Sequence, residues 1–290
     1  MLHSICSTLR RYLLWLLMVL VAGCNAAAGS TPSATPTQPP AWTATLPPTA
    51  TLPQPGPSPS PTATPQPQTL ICSPLAGYAL DQLETQVSNP YHPPPPGSDD
   101  PHFGVDLADF DPPERIARSG MPVQAVLSGR VAGVIANRFP YGNALIIETP
   151  LGGLDDLTLA RLNLPQPPVE LIQPLTLTCP PYSPPADWQT RPRSLYLMYA
   201  HLRDAPAWSA GDAVTCGQVI GAVGDSGNTL APHLHLEVRV GPAEMIFPSM
   251  AHYDPSATNE EMAAYCLWRV SGVFQSMDAM CLLDECSSLP

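Results

Sequence analysis

One short segment places two histidines and a glutamate where they could act together. The sequence HLHLEV at residues 233–238 alternates polar and apolar side chains. In an extended strand, successive side chains point to opposite faces, so His233, His235 and Glu237 share one face. Two imidazoles therefore project side by side from a strand whose other face is apolar. Since imidazole binds metals and exchanges protons near neutral pH, this segment predicts metal or acid–base chemistry.

A second pair of candidate residues lies far upstream, in the sequence HFGVD at residues 102–106. An extended chain puts His102 and Asp106 on one face, and Gly104 between them leaves room. Zinc prefers imidazole nitrogen and carboxylate oxygen, and a catalytic zinc has three protein ligands with a fourth position open. His102, Asp106 and one histidine of the downstream pair supply that set.

A further histidine, His201, ends the apolar run at residues 199–202 and can lean into the same groove. With His201 included, the sequence holds two histidines more than a three-ligand site needs. A structural zinc site does not need additional histidines, whereas a catalytic site needs groups that transfer protons beside the metal.

In their order along the chain, these motifs resemble those of the lysostaphin-type (LytM-like) zinc metallopeptidases. The matching string is HxxxD at 102–106, GMPVxA at 120–125, GxV at 129–131, YGN at 141–143, YAHL at 199–202, GxxVxxGQxIG at 211–221 and GxxxxPHLHxEV at 227–238. The resemblance implies one zinc ion held by His102, Asp106 and His235, with His201 and His233 as catalytic residues. It also implies hydrolysis of peptide cross-links in bacterial peptidoglycan.

The physical chemistry of such a site supports this division of roles. A zinc ion lowers the pKa of a bound water to about 7, and the oxyanion formed from a peptide needs a donor beside it. One of His201 and His233 would orient or deprotonate the water, and the other would stabilise the oxyanion or protonate the leaving amine. Either assignment fits the sequence. Glu237 is either a partner that orients a ligand imidazole or an ordinary surface carboxylate.

The pattern of the folded region predicts a mainly β protein. Five short β-favouring runs are separated by glycine and proline, at residues 122–134, 144–148, 195–202, 219–223 and 233–240. We expect a compact antiparallel β-sheet sandwich or hybrid barrel with a metal-binding groove. A proline-rich insertion occupies residues 151–193, and a helix is expected to begin after Thr258, where the sequence TNEE has capping-box spacing.

The first 70 residues have the sequence features of an export signal followed by an extended stalk. Two arginines precede an apolar run at residues 12–23, which is typical of a signal peptide over residues 1–23. The run ends in LVAGC, which resembles a lipobox with Cys24 as the lipidated residue. Residues 31–70 hold 13 prolines and 10 threonines, so residues 24–70 are expected to form an extended stalk.

Residues 71–290 would then form the working domain, with a core at 102–240 and a C-terminal extension at 241–290. The working domain holds six cysteines that could form up to three disulfides; they are Cys72, Cys179, Cys216, Cys266, Cys281 and Cys286. We expect the protein to be exported and anchored by lipid to the outer face of a membrane or in a periplasm.

Composition excludes several classes of partner. The 12 basic residues are all arginine and the net charge is −12, which argues against nucleic acid. Without lysine there is no phosphate-binding loop of the GxxxxGK[ST] type, so no nucleotide is expected. The alternatives to a peptidoglycan peptidase are a non-catalytic envelope module, which binds cell wall or regulates a partner hydrolase, and a zinc peptidase acting on secreted proteins.

Overall fold

The computed structural model describes residues 68–111 and 116–284. The signal peptide, Cys24 and nearly all of the stalk therefore lie outside the described residues, as does Cys286. No helix in the described ranges is long and apolar enough to cross a membrane.

The described residues form twelve strands and three α-helices. The strands are β1 (Val87–Asn89), β2 (Val105–Leu107), β3 (Phe110–Asp111), β4 (Ile116–Ala117), β5 (Pro122–Gln124), β6 (Gly129–Arg138), β7 (Gly142–Pro150), β8 (Arg193–Ala200), β9 (Ala213–Val214), β10 (Val219–Ala222), β11 (Leu234–Pro242) and β12 (Gln275–Met277). The helices are α1 (Asp156–Leu162), α2 (Asn259–Arg269) and α3 (Met280–Leu283), and 3-10 helices cover Leu80–Gln86 and Leu151–Gly153.

An antiparallel sheet is the centre of the fold. Its strands follow the order β1-β2-β11-β8-β7-β6-β9. In addition, β12 pairs with residues 238–240 of β11. The pairs β5–β10 and β3–β4 form two small separate sheets. Within the described residues, the end strands β1 and β9 do not pair with each other, so the main sheet is open. The predicted antiparallel β architecture is confirmed, but these strands do not close into a barrel.

Strand alternation gives the main sheet two differently covered faces. On one face of β8 lie Leu195, Leu197 and Tyr199, which pack into a core with the apolar residues of β11. The opposite face of β8 presents Tyr196 and Met198 to a second core. Each face of a buried strand thus packs against its own apolar cluster, because successive side chains point in opposite directions.

The second core is completed by the C-terminal extension. Helix α2 begins where predicted, since the Thr258 side chain accepts from the Glu261 N–H and the Glu261 carboxylate accepts from the Thr258 N–H. Tyr265 and Trp268 of this helix, followed by Phe274, are buried against the sheet. The extension therefore covers the sheet face that carries the polar residues of β11.

Two disulfides link segments that are far apart in the sequence. Cys179 in the proline-rich insertion is bonded to Cys266 of α2, and Cys72 is bonded to Cys216. Cys281 is also disulfide-bonded. The insertion itself contains α1 and is otherwise irregular between Asn163 and the start of β8. The insertion and the extension are thus covalently linked to each other.

One predicted strand is two strands in the structure. The run at 122–134 divides into β5 and the start of β6, and the chain changes partner after Ala125, which still exchanges backbone hydrogen bonds with Gln218 and Gly217 just before β10. This change of partner lets β5 pair with β10 while β6 pairs with β7. The sequence of the run does not show where the chain changes partners, because both parts are β-favouring.

We predict that Leu197→Ala lowers the free energy of unfolding by about 2–5 kcal/mol, because Leu197 is fully buried in the central strand β8. The matched control is Leu157→Ala in α1, whose side chain is 79% exposed and should change stability by less than about 0.5 kcal/mol. Denaturant unfolding with disulfides intact measures both. Equal losses in the two variants would contradict the central position of Leu197.

Candidate metal centre and cleft

The candidate site lies where β2, β11 and the end of β8 meet. In the ladder, His235 of β11 is opposite Asp106 of β2 on one side and Ala200 of β8 on the other. The residue after Ala200 is His201, whose backbone φ is +60° and whose N–H donates to the carbonyl of Tyr141. The antiparallel pairing therefore brings together side chains from distant parts of the sequence.

Three side chains present their ligand atoms to one point. His102 Nε2 lies 3.1 Å from Asp106 Oδ1, His235 Nδ1 lies 2.8 Å from the same oxygen, and the two nitrogens are 3.1 Å apart. Among the described residues, these three form the group of His, Cys, Asp or Glu side chains that could hold a metal ion.

The donor set fits a zinc ion. Tetrahedral zinc with bonds of about 2.0–2.1 Å holds its ligand atoms about 3.3 Å apart, close to the observed separations. His102 Nδ1 donates to the carbonyl of Pro90 at 2.8 Å, so its Nε2 has the lone pair that a metal requires. His235 Nε2 is buried and has no hydrogen-bond partner among the described residues, and Glu237 Oε2 lies 3.6 Å from it.

The electrostatics of the site favour positive charge. Burial opposes ionisation of Asp106, but its close contacts with His102 and His235 lower its pKa well below the usual range. Burial alone would lower the pKa of His235, yet its contact with Asp106 and the nearby charges of Asp106 and Glu237 raise it to about 9. Two carboxylates thus flank His235, and a cation is the charge that they stabilise.

Two more histidines face the same point. His201 Nδ1 donates to the Ser226 carbonyl at 2.7 Å, and His233 Nδ1 donates to the Ala231 carbonyl at 2.8 Å. Their ring centres are 4.8 Å apart, and His233 Nε2 lies 3.5 Å from Asp106 Oδ1. Burial, together with the charges of neighbouring histidines, lowers the pKa of His201 to about 3. This imidazole is therefore neutral near neutral pH and has Nε2 as its acceptor.

An open cleft of about 690 Å³ gives access to these side chains. One wall is the loop at 228–233, which carries His233 and the fully exposed Leu230. Asn89, Tyr141 and Arg269 also line the cleft. A cleft of this volume can admit a short extended peptide or a small molecule.

The structure brings together all five predicted metal and catalytic side chains. Glu237 is fully buried, so it is not a surface carboxylate but lies beneath His235. His92 forms a backbone pair with His102, yet its side chain is exposed and does not line the cleft. Cys24 lies outside the described residues.

Sequence reasoning missed three residues that contact this group. Asn89 Nδ2 donates to Asp106 Oδ2 at 3.2 Å, and both Arg239 and Arg269 form ion pairs with Glu237. The strand alternation in the sequence could have indicated Arg239, because this residue continues the polar face of the strand two residues after Glu237. No local pattern distinguishes Asn89 or Arg269 from other polar residues.

Gly104 packs closely against the imidazole of His235. A Cβ atom at Gly104 would lie 2.7 Å from His235 Cε1 and 2.7 Å from the Leu236 carbonyl oxygen. Gly104→Ala should therefore displace the imidazole, weaken zinc binding by about tenfold or more and cost about 1–3 kcal/mol of stability. Competition with a chromogenic chelator measures the affinity.

The matched control for this substitution is Gly152→Ala, since an added Cβ there meets nothing within 4 Å. We expect the control to bind zinc as the unmodified protein does. Unchanged zinc affinity in Gly104→Ala would contradict the described packing of His235 against β2.

An antiparallel sheet that holds a His–Asp–His donor set, with two more histidines in the same cleft, has the side chains required of a metal-dependent hydrolase. The model of Peptidase family M23 matches residues 190–247. This segment is well under half of the chain, and it includes His201, His233, His235 and Glu237. The match confirms the resemblance to lysostaphin-type peptidases over β8 to β11.

Solved structures of such peptidases are also similar to this chain. A variant of the catalytic domain of the prophage-encoded M23 protein EnpA from Enterococcus faecalis is 20% identical, with 61% of this chain and 92% of that chain covered and a TM-score of 0.32. The catalytic domain of the antimicrobial peptidase lysostaphin from Staphylococcus simulans is 21% identical over 56% and 86% of the two chains, with a TM-score of 0.32. A zinc-containing peptidase from Vibrio cholerae is 20% identical over 59% and 36%, with a TM-score of 0.31.

These TM-scores are well below 0.5, and no conclusion about this chain follows from them. No curated protein matches the sequence.

Proposed function

We propose that this protein is a zinc-dependent metalloendopeptidase that hydrolyses peptide cross-links in bacterial peptidoglycan. One observation carries the proposal: three ligand side chains and two further histidines, His201 and His233, converge on one open cleft. A structural zinc site has four protein ligands and is closed, whereas a catalytic site has three and stays accessible. The match of residues 190–247 to Peptidase family M23 supports the same conclusion.

The residues of the chain have distinct roles in this proposal. His102, Asp106 and His235 would hold one zinc ion, which lowers the pKa of a bound water and polarises a peptide carbonyl. His201 and His233 have their Nδ1 atoms bound to backbone carbonyls, so each imidazole is fixed in orientation. Together the pair can accept a proton from the attacking water and return one to the leaving amine.

The proposed substrate and location follow from the sequence. The ordered motif string between residues 102 and 238 resembles that of lysostaphin-type peptidoglycan endopeptidases, which supports peptidoglycan peptides as the substrate. The apolar run before Cys24 and the stalk that follows support export and a lipid anchor. The working domain would then reach the wall from a membrane surface.

The experiment that tests the activity uses purified full-length protein and peptidoglycan of several cross-bridge types, with and without a metal chelator. We expect release of peptide fragments, identified by mass spectrometry, that stops when the chelator is present. Folded, zinc-containing protein that releases nothing from any wall would contradict the proposal and favour a non-catalytic envelope module.

Single histidine substitutions separate metal binding from catalysis. His235→Ala should lose stoichiometric zinc, because it removes a ligand atom. His233→Ala should keep the zinc and lose about 10²-fold or more of the hydrolysis rate, because it removes a proton-transfer group. Metal analysis and fragment release measure the two effects.

The matched control is His92→Ala, since the His92 side chain is exposed and outside the cleft. This variant should keep both zinc and activity. Stoichiometric zinc in His235→Ala, or full activity in His233→Ala, would show that the roles are assigned wrongly.

A further inference from the structure

We propose that Arg269, at the end of the C-terminal helix α2, positions both histidine ligands of the metal site. The inference rests on the zinc site proposed above and concerns a residue outside the motif string. Arg269 is the last residue of α2, and its side chain is 11% exposed and lines the cleft. It touches no ligand directly, so its action must pass through other residues.

The first connection leads to His235. Arg269 Nη1 lies 3.6 Å from Glu237 Oε2, the same oxygen that lies 3.6 Å from His235 Nε2. Tyr141 Oη donates to this oxygen at 3.4 Å and accepts from Arg269 Nη1 at 3.4 Å. Arg269 and Tyr141 therefore hold in place the oxygen that orients the imidazole of His235.

A second arginine takes the other oxygen of the same carboxylate. Arg239 is paired with Glu237 Oε1, and its Nη1 donates to the carbonyls of Trp268 at 2.7 Å and Phe274 at 2.9 Å. Without Arg269, Arg239 would be the arginine left to pair with Glu237. Tyr141 would then be the remaining group that holds the second oxygen toward His235.

The second connection leads from Arg269 to His102. Arg269 Nη2 donates to the carbonyl of Asp99 at 2.8 Å, three residues before His102 in the chain. The Arg269 guanidinium carbon also lies 4.3 Å from the centre of the Phe103 ring, and Phe103 directly follows His102. The segment that presents His102 is thus held on both sides of the histidine by one side chain.

Only an arginine can make these contacts together. Its planar guanidinium has five donors in a fixed fork and stacks on aromatic rings, whereas lysine offers one compact ammonium group. Arg269 uses one donor group on Asp99, another toward Tyr141 and Glu237, and its flat face on Phe103. A lysine could keep the charge but could not span all of these partners.

The test measures zinc affinity of the full-length protein by competition with a chromogenic chelator, so it does not depend on hydrolysis. We expect Arg269→Gln to bind zinc about 10–100-fold more weakly, the range typical of residues that orient metal ligands. Arg269→Lys should fall between that variant and the unmodified protein. Circular dichroism establishes that each variant is folded before zinc is added.

The matched control is Arg138→Gln. Arg138 Nε is paired with Glu261 Oε1 at 2.7 Å, in the first turn of the same helix α2, and Arg138 contacts neither His102 nor His235. This variant weakens the attachment of α2 without touching the ligand supports, so its zinc affinity should stay within about twofold of the unmodified value.

Each outcome supports or overturns the inference. Unmodified zinc affinity in Arg269→Gln would overturn it, and so would an equal loss in Arg138→Gln, which would show general loosening of α2. If Arg269→Gln does not fold, Arg269→Lys decides: weaker zinc binding supports the role, and unchanged binding overturns it. Absence of zinc binding by the unmodified protein would overturn the proposed metal site together with this inference.

Discussion

The charge of Glu237 is the feature on which the rest of the site depends. Its carboxylate is fully buried, and burial of an uncompensated charge costs several kcal/mol. Burial alone would raise its pKa, but the charges of Arg239, His235 and Arg269 lower the pKa well below the usual range. The carboxylate is therefore ionised, and its partners must stay close to it. His235 is one of these partners, with its Nε2 3.6 Å from Glu237 Oε2.

Strand β11 has to satisfy two different environments at once. One face carries Leu234, Leu236 and Val238 into an apolar core, and the other carries the polar residues of the site. A polar strand face can be buried only if it is covered by groups that satisfy its charges and hydrogen bonds. Helix α2 and the residues after it provide that cover, and the disulfide from Cys179 to Cys266 ties the insertion to the same helix. Leu177 of the insertion packs into the second core, so both additions contribute to the apolar cluster on this face.

Much of the sheet and most of the site could be predicted from the sequence. The alternation at residues 233–238 has a period that only a strand uses, and the capping box after Thr258 marks a helix start with a defined hydrogen-bond pattern. The division of the run at 122–134 and the approach of Arg269 to Glu237 could not be predicted. Both features depend on which segments become neighbours in space. A change of strand partner leaves no periodic signal in the sequence, and a long-range ion pair leaves none either.

The sequence distances within the site determine when it can exist during folding. His102 and His235 are separated by 133 residues, and Asp99 and Arg269 by 170. Closing loops of this length costs entropy before any contact is gained, so such contacts form late. His235 joins His102 and Asp106 only after β2 and β11 have paired. A metal ion would therefore select the finished fold and stabilise it, unlike the zinc of small finger domains, which directs folding itself.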